Sequence, residues 1–113
     1  MTILLWLDDE RDPADERWHG SFPIKAEQVI WIKSYQEFTE WIETNGLPAG
    51  VCFDHDLGTK LSGLDAARWL ANYCGLQGAL LPRWNVHSAN PVGKANIISI
   101  LRSFERVQDS THN

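Results

Sequence analysis

The chain has 113 residues and a formal net charge of −5, from 10 basic and 15 acidic residues. That length builds one core, in which roughly two thirds of the unfolded surface can be buried. The acidic balance excludes a protein that wraps duplex DNA, whose affinity would rest on Lys and Arg neutralising phosphates. With 43% hydrophobic and 22% charged residues, the composition is globular and not that of a disordered chain.

Residues 3–7 are continuously apolar, as a buried strand would be. They run straight into Asp8-Asp9, so the amino terminus is expected to be neither signal peptide nor anchor. No apolar run approaches the ~20 residues that span a bilayer. Cys52 and Cys74 sit in apolar stretches, unlike a disulfide framework or a zinc knuckle. A cytoplasmic address, with no membrane partner, is the expectation.

Residues 12–27 carry charge, Pro and Gly and read as a long loop with at most a helical turn; Trp18 lies in this polar stretch and is a candidate to line a site. The other five tryptophans fall inside apolar patterns and read as core. Residues 28–33 form a second strand candidate. Ser34 and Glu37 make a capping box for a helix with Tyr35, Phe38, Trp41 and Ile42 on one face, stopped at Gly46. Residues 50–54 read as a third buried strand. Ser62 and Asp65 repeat the box before Leu64, Ala67, Leu70 and Cys74, and Gly75 is placed to end that helix.

Residues 83–88 alternate, with Trp84, Val86 and Ser88 on one face and Asn85 and His87 on the other. Asn90-Pro91 opens a last helix with Ile97, Ile98, Leu101 and Phe104 inward. Residues 1–107 are thus expected to form a single α/β domain, with 108–113 a frayed tail. Strands alternating with helices imply a parallel sheet, covered on its faces and doubly wound.

Ligands of such sheets bind beyond the carboxyl ends of the strands. Those ends bring Asp8, Asp9 and Arg11 after strand one, Asp54, His55 and Asp56 after strand three, and His87, Ser88 and Asn90 after strand four. Adjacent carboxylates repel unless a cation neutralises them. Hard oxygen donors without a Cys or multi-His set favour Mg²⁺ or Mn²⁺. The alternative is internal: Asp9 caps the following turn and Asp8 pairs with Arg11. His55 and His87 flank the acidic cluster and are candidate general acid and base. The loop Gly58–Gly63 lacks the Gly-Lys-Ser/Thr ending of a phosphate loop, so Lys60 is not a nucleotide-cradling lysine.

The acidic pair Asp8-Asp9, Phe53-Asp54 and Ser88-Ala89 resemble the strand ends of response-regulator receiver domains. Two departures are the absence of the last receiver strand with its lysine and the replacement of the first crossover helix by the 12–27 loop. The fuller set is Leu-Trp-Leu-Asp-Asp-Glu-Arg-Asp-Pro at 5–13, Phe-Asp-His-Asp-Leu-Gly at 53–58, Ser-Gly-Leu-Asp at 62–65 and Val-His-Ser-Ala-Asn-Pro at 86–91. It resembles the cyclic-phosphate processing receiver-like domains over residues 3 to about 105. That resemblance implies a small three-layer, flavodoxin-like fold with a four-stranded parallel sheet. It also implies the handling of cyclic or terminal phosphates on nucleotides or RNA.

Residues and resemblance together point to a metal-dependent phosphoesterase, its partner a small phosphate-bearing ligand or an RNA terminus. Asp8, Asp9, Asp54 and Asp56 would hold the ion; Asp54, His55 and His87 would be catalytic; Arg11, Ser88 and Asn90 would bind the phosphoryl oxygens. Asp54 is also a candidate carboxylate nucleophile. The rival readings are a signalling module phosphorylated at Asp54 and a domain that sequesters a cyclic nucleotide without cleaving it.

Overall fold

The apolar run Ile3–Leu7 is β1, the central strand of the sheet in a computed structural model that describes residues 1–112, with side chains through Asp109. β2 (Gln28–Ile32), β3 (Gly50–Phe53) and β4 (Arg83–Val86) pair with it in the order β2-β1-β3-β4, all parallel. The chain leaves β1 toward one side for β2 and returns to the other side for β3. The ends of β1 and β3 therefore flank the point where strand order reverses, the position where open α/β sheets bind ligands.

Three helices follow their strands: α1 (Tyr35–Asn45), α2 (Gly63–Gln77) and α3 (Pro91–His112). All three pack on one face. Phe38 and Ile42 of α1, Ala67 and Leu70 of α2, and Ile97 and Leu101 of α3 share a buried cluster with Leu5, Leu7, Val51, Phe53 and Val86 of the sheet. The period-two alternation of the strands turns Leu4, Trp6, Cys52 and Asn85 to the opposite face. There the 12–27 segment forms the third layer. Phe22 packs edge-on against Trp6 at 5.5 Å, and the Ser21 carbonyl accepts from Asn85 Nδ2 at 2.8 Å. A short 3₁₀ helix of six residues, Glu16–Ser21, supplies two turns of regular structure in that layer, one more than the sequence suggests.

Both helix starts are capped as their sequences require. The Ser34 hydroxyl accepts from the Glu37 amide at 3.1 Å, and Glu37 returns a carboxylate oxygen to the Lys33 amide at 3.0 Å. Asp65 accepts from the Ser62 amide at 2.7 Å. Gly46 ends α1 at φ 87°, as expected. Gly75 does not end α2. The helix runs on to Gln77 and stops at Gly78, which takes the left-handed φ of 64°. Gly75 lies inside the helix facing the Phe104 ring of α3, where a Cβ would make an ordinary van der Waals contact at 3.5 Å. The expected tail is also helical: α3 passes residue 107, and Gln108 donates to the Ala79 carbonyl at 2.7 Å and accepts from the Leu81 amide at 3.3 Å. Asn113 lies outside the described residues.

Gly63 fixes how closely α2 approaches the end of β3. Its amide donates to the His55 carbonyl at 2.8 Å, and a Cβ on it would overlap the Asp54 carbonyl group. The obstacle is backbone, so it cannot rotate away. Gly63→Ala is expected to lower stability by about 3 kcal/mol, at the upper end of overpacking costs. Urea unfolding checks this; a loss below about 0.5 kcal/mol, the range of neutral surface changes, would mean that the strand end yields freely.

Candidate functional site

The sheet ladder continues one hydrogen bond beyond the strands. The Asp8 amide donates to the Ile32 carbonyl (3.0 Å), the Asp54 amide to Leu7 (3.0 Å) and the His87 amide to Phe53 (2.9 Å). These bonds set Asp8, Asp54 and His87 side by side at the ends of β1, β3 and β4. Each follows a residue that faces the helices, so all three turn to the opposite face. Ligand atoms from the three lie within 4.8 Å of one another, so this cluster could hold a metal ion.

Asp8 is completely buried and fully engaged. Oδ1 accepts from the backbone amides of Glu10 and Arg11, both at 2.8 Å, which bends the chain sharply after β1. Oδ2 accepts from Arg11 Nη1 at 3.1 Å and from His87 Nε2 at 2.9 Å. Burial by itself would raise the pKa of this carboxyl, but the bonds from His87, the Arg11 and Glu10 amides and the Arg11 side chain outweigh it and bring it down to about 2. Asp8 thus both caps the turn, which the sequence assigns to Asp9, and pairs with Arg11.

His87 supports Asp8 from behind. Its side chain is only 1% exposed, and its ring stacks on Trp6 with centroids 3.9 Å apart and planes 9° from parallel. Nδ1 lies 3.0 Å from Cys52 Sγ. Burial, with the nearby charges of Asp8 and Asp54, pushes the Cys52 thiol far up, so it keeps its proton. The Asp8 carboxylate can only accept, so Nε2 carries the proton of that bond, while the Cys52 sulfur lies between Nδ1 and the Ser21 carbonyl, 3.5 Å away. Both nitrogens are occupied inside the fold. The ring of His87, a candidate general acid or base, thus braces the Asp8 carboxylate.

Asp54 is 4% exposed and shares the same guanidinium, with Arg11 Nη1 3.6 Å from Oδ2. Its pKa is raised, chiefly by burial and further by the charge of Asp8; a hydrogen bond from Ser88 and the charges of His87 and Arg11 work the other way. Trp31 closes the corner by donating its indole N–H to the Asp8 carbonyl at 2.7 Å.

A second group lies outside this buried set. His55 Nδ1 is 2.9 Å from Asp56 Oδ1, and the Asn90 amide reaches the Asp56 carboxylate at 3.4 Å. Asn90 also caps α3, accepting from the Gly93 amide at 2.9 Å. Gly93 lies so close to the His55 ring that a Cβ would overlap it. Asp56 is exposed, and its pKa is lowered mainly by the bond to His55. Asp9 has no hydrogen-bond or ion-pair partner among the described residues, and its carboxylate lies against Gly58.

Between the two groups is a cleft of about 290 Å³ lined by Asp8, Asp9, Glu10, Arg11, Asp54, Asp56, Gly58 and Ala89. The four aspartates expected at the strand ends all border it, as does Arg11. Ser88 reaches it through Asp54, and Asn90 through Asp56. His55 stands beside it at 21% side-chain exposure. Cys52 and Trp6 were not legible as site residues, since each reads as core. The signal that finds them is parity: position 52 shares a face with 54, and position 6 with 8.

Comparison with known proteins agrees with this architecture. A solved structure described as a yeast Spc42 trimeric coiled coil (residues 181–211) fused to another structure superposes with a TM-score of 0.58. The match covers 97% of this chain and 83% of that one at 15% identity, a likeness of fold alone. No curated relative matches the sequence. The model of the cyclic-phosphate processing receiver domain matches residues 3–103, with both strand-end clusters inside the match, and the chain belongs to that family.

Proposed function

We propose that this domain is a metal-dependent phosphoesterase acting on a cyclic or terminal phosphate of a nucleotide or an RNA end. The observation that carries the reading is the charge of the cleft. Five carboxylates line it, against the single guanidinium of Arg11. A phosphate cannot settle there unless more positive charge accompanies it.

The donor set suits a hard divalent cation, Mg²⁺ or Mn²⁺. Asp8, Asp9, Asp54 and Asp56 all line the cleft. A bound ion of this kind supplies Lewis acidity toward a phosphoryl group. Arg11 already places a cation between Asp8 and Asp54, 3.1 and 3.6 Å away, which marks that position as one the carboxylates need filled. Its remaining guanidinium N–H groups can bind phosphoryl oxygens. Ser88 orients Asp54, whose carboxylate is available either as ligand or as nucleophile. His55, at the rim with Nδ1 tied to Asp56, moves protons to and from the reacting oxygens. Asn90 holds Asp56, and His87 holds Asp8.

A thermal-shift titration with MgCl₂ and MnCl₂ tests the cation site. Wild type is expected to gain several degrees, Asp9→Asn to lose most of that gain, and Arg11→Ala to start lower and gain more. The scale is set by about 2.7 kcal/mol at a hundredfold excess of ligand over Kd. No rise in wild type or Arg11→Ala would remove the metal from the mechanism.

One observation keeps the receiver reading in view. Ser88 bonds Asp54 across the ends of β4 and β3. Phosphorylation at Asp54 would appear as one phosphoryl adduct by intact mass after acetyl phosphate and Mg²⁺. Its absence would count against a signalling role.

A further inference from the structure

The cleft leaves Trp18 unused, although its ring lies against Arg11, one of the residues that line the cleft. Trp6 and Trp31 direct their indole N–H groups to the carbonyls of Arg11 (2.9 Å) and Asp8 (2.7 Å). Trp41, Trp69 and Trp84 pack against the helix-side core. Trp18 does neither. It is half-buried on a 3₁₀ helix that contains no buried residue, and its indole N–H has no partner among the described residues.

It is nevertheless held in place by two cations. The Arg11 guanidinium lies 5.3 Å from the ring centroid and that of Arg17 lies 5.1 Å away. Arg11 is the side chain that also reaches Asp8 and Asp54, so one guanidinium separates the indole from the carboxylate pair. Arg17 is 74% exposed and held by Asp15 through two bonds of 2.7 and 3.0 Å. An exposed pair of this kind contributes little, so Arg17 is free to give way or to close over a second ring.

A half-buried indole with two guanidinium groups over its ring, linked through Arg11 to the carboxylates of a phosphate cleft, has the components of base recognition. Every nucleobase offers a π-face, and guanidinium planes stack on bases as indoles do. The platform is also basic, whereas the rest of the rim, with Asp9, Glu10 and Asp56, is acidic. We propose that Trp18, with Arg17, forms a nucleobase subsite, so that the ligand is a nucleoside phosphate or RNA end and not a simple sugar or polyol phosphate. The proposal rests on the phosphoester reading of the cleft.

Two probes separate the subsite from the cleft: adenosine 2′,3′-cyclic phosphate and methyl riboside 2′,3′-cyclic phosphate, which lacks the base. Their affinities are measured by calorimetry in MgCl₂ for wild type, Trp18→Leu and Trp18→Phe. Wild type is expected to bind the adenosine probe about tenfold or more tighter, the value of one stack. Trp18→Leu is expected to lose that margin while its affinity for the base-free probe is unchanged, and Trp18→Phe to retain most of it. Equal wild-type affinity for the two probes, or the same loss for both in Trp18→Leu, would overturn the subsite and leave the phosphate cleft standing. Binding of neither probe by wild type would overturn the cleft reading and the subsite with it.

Discussion

Asp8→Ala is expected to remove about 3–5 kcal/mol of stability, a large share of what a domain of this size possesses. The loss does not come from a missing contact alone. Without the carboxylate, two backbone amides, the His87 Nε2–H and the Arg11 guanidinium lose their acceptor together. The His87 side chain, only 1% exposed, has no water to replace it, whereas Arg11 keeps Asp54. Asp8→Asn keeps an oxygen for the two amides but turns its NH₂ toward His87 and Arg11, and should lose about 2 kcal/mol. Urea unfolding of both variants checks the order.

The same residue sets an acid limit. The folded-state pKa of Asp8 lies at about 2, below the ordinary 3.8, so the native state favours the ionised form. That preference stabilises the fold fully above about pH 4 and is lost as the pH falls through 2. At about 1.4 kcal/mol per pKa unit it amounts to roughly 2 kcal/mol. Wild type should show this loss on acidification, and Asp8→Asn should not. A variant with the wild-type acid profile would place the titration on another group.

Asp54→Asn is expected to divide function from stability. Burial and the charge of Asp8 raise the Asp54 pKa, so holding this group ionised at neutral pH works against the fold. An uncharged isostere removes that penalty and keeps the Ser88 hydroxyl as a neighbour. Melting temperature at pH 7 should therefore hold or rise. Turnover of a cyclic phosphate should fall by at least ~10³-fold, the scale of losing a nucleophile or a principal electrostatic partner of the transition state. Stability that falls together with activity would indicate a structural residue. Wild-type turnover would remove Asp54 from the mechanism.

The part of the fold legible in the sequence is the part governed by local periodicity. The runs at 3–7 and 50–54 read as buried strands, and the boxes at Ser34 and Ser62 mark helix starts, because each signal lies within a few neighbouring residues. Gly75 misled because two glycines three residues apart both offer a helix stop, and it is Gly78 that takes the left-handed conformation. The last helix outruns its expected end because Gln108 finds its partners 29 and 27 residues earlier in the chain.

The candidate site divides the same way. Strand ends are local, so the carboxylates and Arg11 could be gathered from the sequence. The setting of His87 could not, since it depends on Trp6 and Cys52 from two other strands in one register. The role of Gly63 likewise needs the approach of α2 to the end of β3. Exposed histidines and buried ones look alike until the sheet is assembled. That is why His55 and His87, equivalent as candidates, end with one at the rim and the other behind Asp8.

The most direct test of the phosphoesterase reading is ³¹P NMR of adenosine 2′,3′-cyclic phosphate incubated with the wild-type protein, in MgCl₂ and in EDTA, with Asp54→Asn alongside. The cyclic-phosphate resonance is expected to give way to a ring-opened monoester with wild type in MgCl₂, and to persist in EDTA and with the variant. A cyclic-phosphate resonance that persists in every sample, or that is lost equally with wild type and Asp54→Asn, would contradict it.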